Sequence, residues 1–284
     1  MDPSSRSDFG PLVDADWLAA HLNEPGIRVL DVRWHLGEPG RGRREYDQGH
    51  IPKASFIDID TDITASDGPG RHPLPGRELL QAAMRHAGVD NGDRVIVYDD
   101  SGGGSAARLW WLLRLHGHAD VALLDGGMRT WRGDLEKQSR LVEDGNFEAA
   151  PEAKEVLRYQ EVVRLGTDHV VLDARSPERY RGDDEPIDPI AGHIPGARNI
   201  FWHENLAPDG RFRSPEELRR LYSNLGAIPG RTVVYCGSGI TSCHNILAIE
   251  LAGLGPALLY AGSWSDWCTQ LNAPIATGGR DARE

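Results

Sequence analysis

The chain is short of cysteine, of positive charge and of long apolar runs, and each shortage excludes something. Three cysteines in 284 residues are too few, and odd in number, for a disulfide framework. That points to a reducing compartment, taken here as the cytoplasm. With 31 Lys and Arg against 43 Asp and Glu, the net charge is −12, which argues against a nucleic-acid or anionic-membrane partner. A local pocket on an acidic protein can still be positive, so small anionic substrates stay open. No uncharged apolar run approaches the length that spans a bilayer. The opening residues Met1 to Asp8 lack an apolar core, so no signal peptide is expected. No His/Cys pair has zinc-ligand spacing, and no metal is expected. Gly102-Gly103-Gly104 mimics a phosphate loop but lacks its lysine, and no cofactor is expected either. What remains, 39% hydrophobic and 26% charged residues, is the composition of a soluble globular protein of one large domain or two ordinary ones.

The stretch with chemistry in it is Val233-Val234-Tyr235-Cys236-Gly237-Ser238-Gly239-Ile240-Thr241-Ser242. A β-prone run enters a cysteine, a glycine-rich loop follows, and the residues from Ser242 to Leu251 have helical apolar spacing. Cys236 therefore falls at the C-terminal end of a strand, in a loop that opens a helix. Backbone N–H groups of such a loop converge as an anion-binding nest, and the helix terminus adds partial positive charge. Both favour the thiolate, the reactive form of cysteine. The alternative is a buried structural cysteine. That is the reading kept for Cys268 and favoured for Cys243, where a resolving or redox-sensing role is the alternative.

The two halves of the chain repeat one order of landmarks. Ile27–Arg33 is matched by Asp168–Arg175, and Gly49-His50-Ile51-Pro52 by Gly192-His193-Ile194-Pro195. The helix Glu78–His86 is matched by Pro215–Leu225, Ile96-Val97-Tyr98-Asp99 by Val233-Val234-Tyr235-Cys236, and Leu123–Trp131 by Leu258–Trp267. Strands alternating with helices predict an α/β protein of two tandem domains, each a parallel sheet with helices on both faces. The expected boundaries are 1–137, a charged linker at 138–155, and 156–284, with a frayed tail after Pro274. The site is expected beyond the carboxyl ends of the strands, which is where Cys236 falls. Asp99 stands in the first half where Cys236 stands in the second, so only the second half can do thiolate chemistry. The first half serves as scaffold or as one wall of a cleft. His50 and His193 recur in both halves and read as structural, as do Trp110 and Trp111 on an apolar helix.

Taken together, Asp173-Ala174-Arg175, the two Gly-His-Ile-Pro segments, the Cys236 loop, Arg108-Leu109-Trp110-Trp111 and Asp125–Trp131 resemble the two-domain sulfurtransferases of the rhodanese family over nearly the whole chain. The resemblance implies two rhodanese-like domains, the C-terminal one catalytic. It also implies a two-step reaction: Cys236 takes sulfur from a donor as a persulfide and hands it to cyanide or a thiol, possible acceptors including a thioredoxin-like protein. The loop Gly237, Ser238, Gly239, Ile240, Thr241 and Ser242 carries no charge. In that it is similar to family members whose donor is 3-mercaptopyruvate, whereas thiosulfate-preferring members carry basic side chains there. The same resemblance assigns Ser238, His72 and Asp60 to a proton relay, with Asp62 an acceptable substitute for Asp60, and Arg179 to the donor's carboxylate. For His72 and Asp60 the competing reading is solvated loop residues; for Arg179 it is an ion pair with Asp183.

The chain departs from the family in one respect. A second arginine is expected shortly before the second Gly-His-Ile-Pro, and Glu185-Pro186-Ile187-Asp188-Pro189 stands there instead. Arg181 is the candidate to compensate. Thiosulfate is accordingly the alternative donor, and a non-catalytic persulfide relay module a further alternative. A cysteine phosphatase is set aside, because no arginine stands about six residues past Cys236 to bind a phosphoryl group.

Overall fold

The computed structural model describes residues 9–137 and 142–279. They form two compact units of the same design. Unit 1 comprises residues up to 65, 75–153 and 209–211; unit 2 comprises 66–74, 154–208 and 212 onward. Two short segments thus belong to the unit opposite their neighbours in sequence.

Unit 1 runs β1 (Leu12–Val13), α1 (Ala15–His21), β2 (Ile27–Asp31), α2 (Arg41–Gln48), β3 (Ser55–Phe56), α3 (Ile59–Asp62), α4 (Arg77–His86), β4 (Arg94–Tyr98), α5 (Ala106–Leu115) and β5 (Val121–Leu124). Its five strands are ordered β1-β5-β4-β2-β3, and every pairing is parallel. Unit 2 runs β6 (Val156–Leu157), α6 (Tyr159–Val163), β7 (Val170–Asp173), α7 (Pro177–Arg181), β8 (Arg198–Asn199), α8 (Pro215–Asn224), β9 (Thr232–Tyr235), α9 (Thr241–Leu251), β10 (Leu258–Tyr260) and α10 (Ser263–Trp267). The order β6-β10-β9-β7-β8 reproduces that of unit 1, again wholly in parallel. Parallel strands covered on both faces read as unbroken apolar runs, and β4 and β9 do: from Val95 to Tyr98 and from Thr232 to Tyr235 every residue is buried. Local signals set the ends. Asp14 caps α1 by accepting the Trp17 N–H at 2.7 Å, and Ser214 caps α8 in a capping box with Glu217.

The repeated landmarks turn out to be one hydrogen-bonded girdle, built twice. In unit 1, Arg33 forks onto Asp31 and donates to the Gly49 carbonyl, and the Tyr46 hydroxyl donates to Ala54 O. His50 bonds the Tyr46 carbonyl and stacks on its ring at 3.8 Å. In unit 2, Arg175, Asp173, Gly192, Tyr180, Ala197 and His193 repeat each of these contacts. Both histidines are buried in this girdle, in keeping with a structural role, and Trp110 and Trp111 are core residues.

The expected linker lies partly outside the described residues, at 138–141. Beyond it the chain is packed rather than free: Gly145 and Phe147 donate to Arg85 and Val89 carbonyls, and Phe147 is buried. The expected fraying after Pro274 is corrected as far as Gly279. Ala276 forms a two-way backbone bridge with His193, and Gly278 donates to Arg181 O.

Candidate active site

The last residue of β9 is Tyr235, and α9 begins at Thr241, so Cys236 opens a five-residue turn at the carboxyl edge of the sheet. Gly239 makes the turn possible with φ of 81°, a region that side chains resist. Its N–H then points at the sulfur, 3.1 Å from Sγ. The backbone of Cys236 is fixed from behind, its N–H on the Ser263 hydroxyl and its carbonyl accepting from Trp264 N–H at 3.0 Å. Burial pushes the Cys236 thiol up. The Thr241 side chain, the Ser238 N–H, and the side chain and N–H of Ser242 act against it and hold the thiol below its ordinary value. Apart from that sulfur, the buried Ser242 hydroxyl has no hydrogen-bond partner among the described residues. Cys268 shows the contrast, because burial with Asp188 nearby pushes that thiol up. Cys243 is buried in the first turn of α9 and its S–H donates to Gly239 O.

The segment 66–74 brings further groups to this loop. Gly70 is left-handed, and a Cβ there would meet the Gly262 carbonyl at 2.4 Å, so only glycine lets the strap approach so closely. The next residue, Arg71, donates its N–H to the Ser265 hydroxyl at 3.0 Å. His72 then shares a hydrogen bond of 2.7 Å between Nδ1 and the Ser238 hydroxyl, and both side chains are buried. The structure therefore unites Ser238, His72 and the loop residues Gly237, Gly239, Ile240, Thr241 and Ser242 around Cys236. Asp60 belongs to unit 1, where its carboxylate accepts from Trp34 Nε1 at 2.9 Å. Asp62 is tied into its own turn by Asp58 N–H and the Thr61 hydroxyl.

Arg179 does not pair with Asp183; that carboxylate is taken by Arg181, at 2.6 Å. Arg179 instead binds Glu185 through Nε and Nη2 and Asp188 through Nη2. Its neighbour Arg175, with Asp173 and Glu185, completes one side of this ion network. Burial disfavours the charge on Arg175, but Asp173, Tyr235 and Glu185 hold its pKa well above the ordinary value. Arg71 closes the other side on Asp188. Sequence reasoning missed Arg71 altogether. Its partner lies 117 residues away, and the only local signal was a basic residue beside His72. It also missed Asn205, which accepts from Tyr222 and donates to His244 and Asn245 beneath α9.

A model of the rhodanese-like domain matches residues 14–134 and again 153–270. The chain belongs to the rhodanese family. It is 43% identical over 278 residues to the "Probable 3-mercaptopyruvate sulfurtransferase" of Pseudomonas aeruginosa, covering 94% of this chain and 98% of that one. It is 39% identical over 263 residues to SseB of Mycobacterium tuberculosis, whose name gives thiosulfate as donor, covering 89% and 91% of the two chains. The crystal structure of the Escherichia coli 3-mercaptopyruvate enzyme SseA superposes with a TM-score of 0.80 at 34% identity, over 90% of this chain and 99% of that one. Like these relatives, the protein is a two-domain rhodanese-family sulfurtransferase. No described helix is long and apolar enough to cross a membrane.

Proposed function

We propose that this sulfurtransferase takes its sulfur from 3-mercaptopyruvate through a persulfide on Cys236. The observation that carries this reading is the 2.7 Å bond between Ser238 and His72 inside an uncharged cysteine loop. Thiosulfate releases sulfite, which needs no proton to leave. Mercaptopyruvate releases pyruvate as its enolate, which does. The Cys236 thiolate attacks the donor sulfur, the carbon–sulfur bond breaks, and its electron pair moves onto the former C3 of the donor. The donor's S–H proton passes to the Ser238–His72 pair and on to that carbon, giving pyruvate and leaving the persulfide as an anion. Asp60 is assigned the third place in the relay by the family resemblance, with Asp62 as its substitute. The persulfide, Cys236–S–S⁻, keeps its negative charge in the nest of Gly237 to Ser242. Cyanide then removes the outer sulfur as thiocyanate and restores the thiolate. With a thiol acceptor, a thioredoxin-like dithiol included, the sulfur passes to the acceptor as its persulfide. Because Cys236 must return to the thiolate between turnovers, a reducing compartment suits the cycle, and the cytoplasm is the proposed location. The unit carrying Asp99 supplies no nucleophile in this scheme.

Thiosulfate is the second reading. It is favoured by the two guanidinium groups, of Arg71 and Arg179, beside Gly237, since a dianion would profit from both. Steady-state thiocyanate formation from each donor separates the readings. A mercaptopyruvate kcat/KM at least tenfold above that for thiosulfate is expected, and the reverse order would replace the first reading with the second. Persulfide formation on Cys236 from a protein donor alone, with neither small donor turned over, would make the protein a relay module.

A further inference from the structure

The arginine that the family resemblance leads one to expect before His193 is absent, and Ile187 and Asp188 occupy that stretch. Arg181, the nearest sequence candidate, is turned to Asp183 and Glu178. We infer that Arg71, supplied by the strap 66–74, is the second arginine of the donor's carboxylate site, acting beside Arg179. The inference rests on the keto-acid reading above and names a specificity-determining residue for it.

The geometry carries it. Arg71 binds Asp188 through Nη1, and Arg179 binds the other oxygen of the same carboxylate through Nη2. Asp188 is almost wholly buried, its side chain 2% exposed. One carboxylate thus clamps two guanidinium groups and offsets the repulsion between them. Each arginine keeps a different nitrogen for the cysteine loop. A Cβ built on Gly237 would stand 3.0 Å from Nη2 of Arg71 and 3.3 Å from Nη1 of Arg179. Neither of these nitrogens is one that binds Asp188 or Glu185. The Nε of Arg71 is buried and has no hydrogen-bond partner among the described residues. Two forks held by one buried acid, each with N–H groups left over next to the residue that follows the nucleophile, form a receptor for a planar anion. A carboxylate two bonds from the reactive C3–sulfur unit fits such a place, its charge on the arginines and its sulfur toward Cys236.

The strap also explains why the residue can be trusted to that position. Gly70 sits against the Gly262 carbonyl, and the N–H of Arg71 is on Ser265. Ser265 in turn donates its own N–H to Gly237 O at 3.0 Å. The backbone that carries Arg71 and the backbone that carries the cysteine loop are joined through a single serine.

The test uses the full chain and its Arg71→Lys, Arg71→Gln and Arg71→Ala variants, with mercaptopyruvate and with mercaptoacetone, the same ketone lacking the carboxylate. For Arg71→Ala and Arg71→Gln the expected result is a KM for mercaptopyruvate raised about 10–100-fold, the loss of one charged hydrogen-bonding fork. Arg71→Lys should recover part of this, and kcat/KM for mercaptoacetone should move by no more than about 2-fold. Equal losses on both donors would make Arg71 a structural tie of the strap and overturn the inference, as would an unchanged mercaptopyruvate KM. A second readout does not depend on turnover: protection of Cys236 from iodoacetamide by pyruvate. Pyruvate should protect the unmodified enzyme and protect Arg71→Gln at least about tenfold less well. If the enzyme transfers sulfur only from thiosulfate, the keto-acid reading fails. The Arg71 assignment is then decided by this protection, surviving if it is lost in Arg71→Gln and falling if it is unchanged or absent from the start.

Discussion

Asp99 and Cys236 stand at the ends of equivalent strands, before equivalent loops and helices, and the two loops treat them differently. The Asp99 carboxylate accepts five hydrogen bonds, from the N–H groups of Ser101, Gly103, Ser105 and Ala106 and from the Ser105 hydroxyl. The anion nest of unit 1 is filled by its own side chain. At Cys236 the Gly239 N–H is bonded to the sulfur, the Ser238 N–H and the side chain and N–H of Ser242 also favour its anion, and no side-chain carboxylate fills the nest. The same backbone device is thus closed in one unit and open in the other. The closed copy shows what the open one is built to receive, a negative charge lying a bond or two beyond the Cβ. A carboxylate supplies that charge permanently; the persulfide proposed above would supply it for part of each cycle.

Substitutions at the two positions should therefore fail in different currencies. Cys236→Ser should reduce thiocyanate formation by on the order of 10⁴-fold or more from either donor while the protein stays folded; residual activity within tenfold of the parent would overturn the nucleophile assignment. Asp99→Ala should show the reverse pattern. Emptying a buried, fully bonded nest leaves several N–H groups unsatisfied and should cost about 3–5 kcal/mol in denaturant unfolding, against about 1 kcal/mol for Cys236→Ala. Similar losses for the two would mean that the carboxylate is not the plug described here. Ser238→Ala and His72→Asn sharpen the chemical side. Each should lower kcat with mercaptopyruvate by about 10²-fold, the usual worth of a positioned proton donor, and leave thiosulfate turnover nearly intact. A parallel fall with both donors would argue for a packing role. The smallest effect concerns the thiol itself. Its pKa is held below the ordinary value, so iodoacetamide alkylation of Cys236 should reach half its maximal rate below the usual thiol range. Thr241→Val removes a group that favours the anion and should move that midpoint upward; a downward shift or none would contradict the assigned cause.

Much of this was legible in the sequence because the informative signals are local or periodic. The strands β2, β4, β5, β7, β9 and β10 announce themselves as apolar runs, and the Asp99/Cys236 asymmetry needs only the alignment of the two halves. The edge strands β1, β3, β6 and β8 were not seen, since each has two residues and two residues carry no period. Site residues divide the same way. Cys236 and its loop follow from a strand, a glycine turn and a helix. Ser238 and His72 were reached only through the family resemblance, and their hydrogen bond spans 166 positions. The pairing of Arg71 and Arg179 on Asp188 left no trace in spacing or composition, because ion pairs distant in sequence follow from the fold and not the reverse. The linker expected from charge and lack of periodicity is a further case: Phe147 packs there without any repeat around it.

The strap that carries Arg71 and His72 has a consequence for the history of the molecule. Residues 66–74 are encoded in the first copy of the duplication and spent in the second, and residues 209–211 run the other way. Two tandem copies that merely lie side by side can be separated again by a single cut. Here a cut between the copies would leave the half with Cys236 lacking His72 and Arg71, to which the relay and the carboxylate site are assigned by proposal. On those proposed roles, neither copy could be lost or recombined with another partner without the activity going too, and the fusion would work as a ratchet. A sequence that reads as two interchangeable modules is, as an inheritable unit, indivisible.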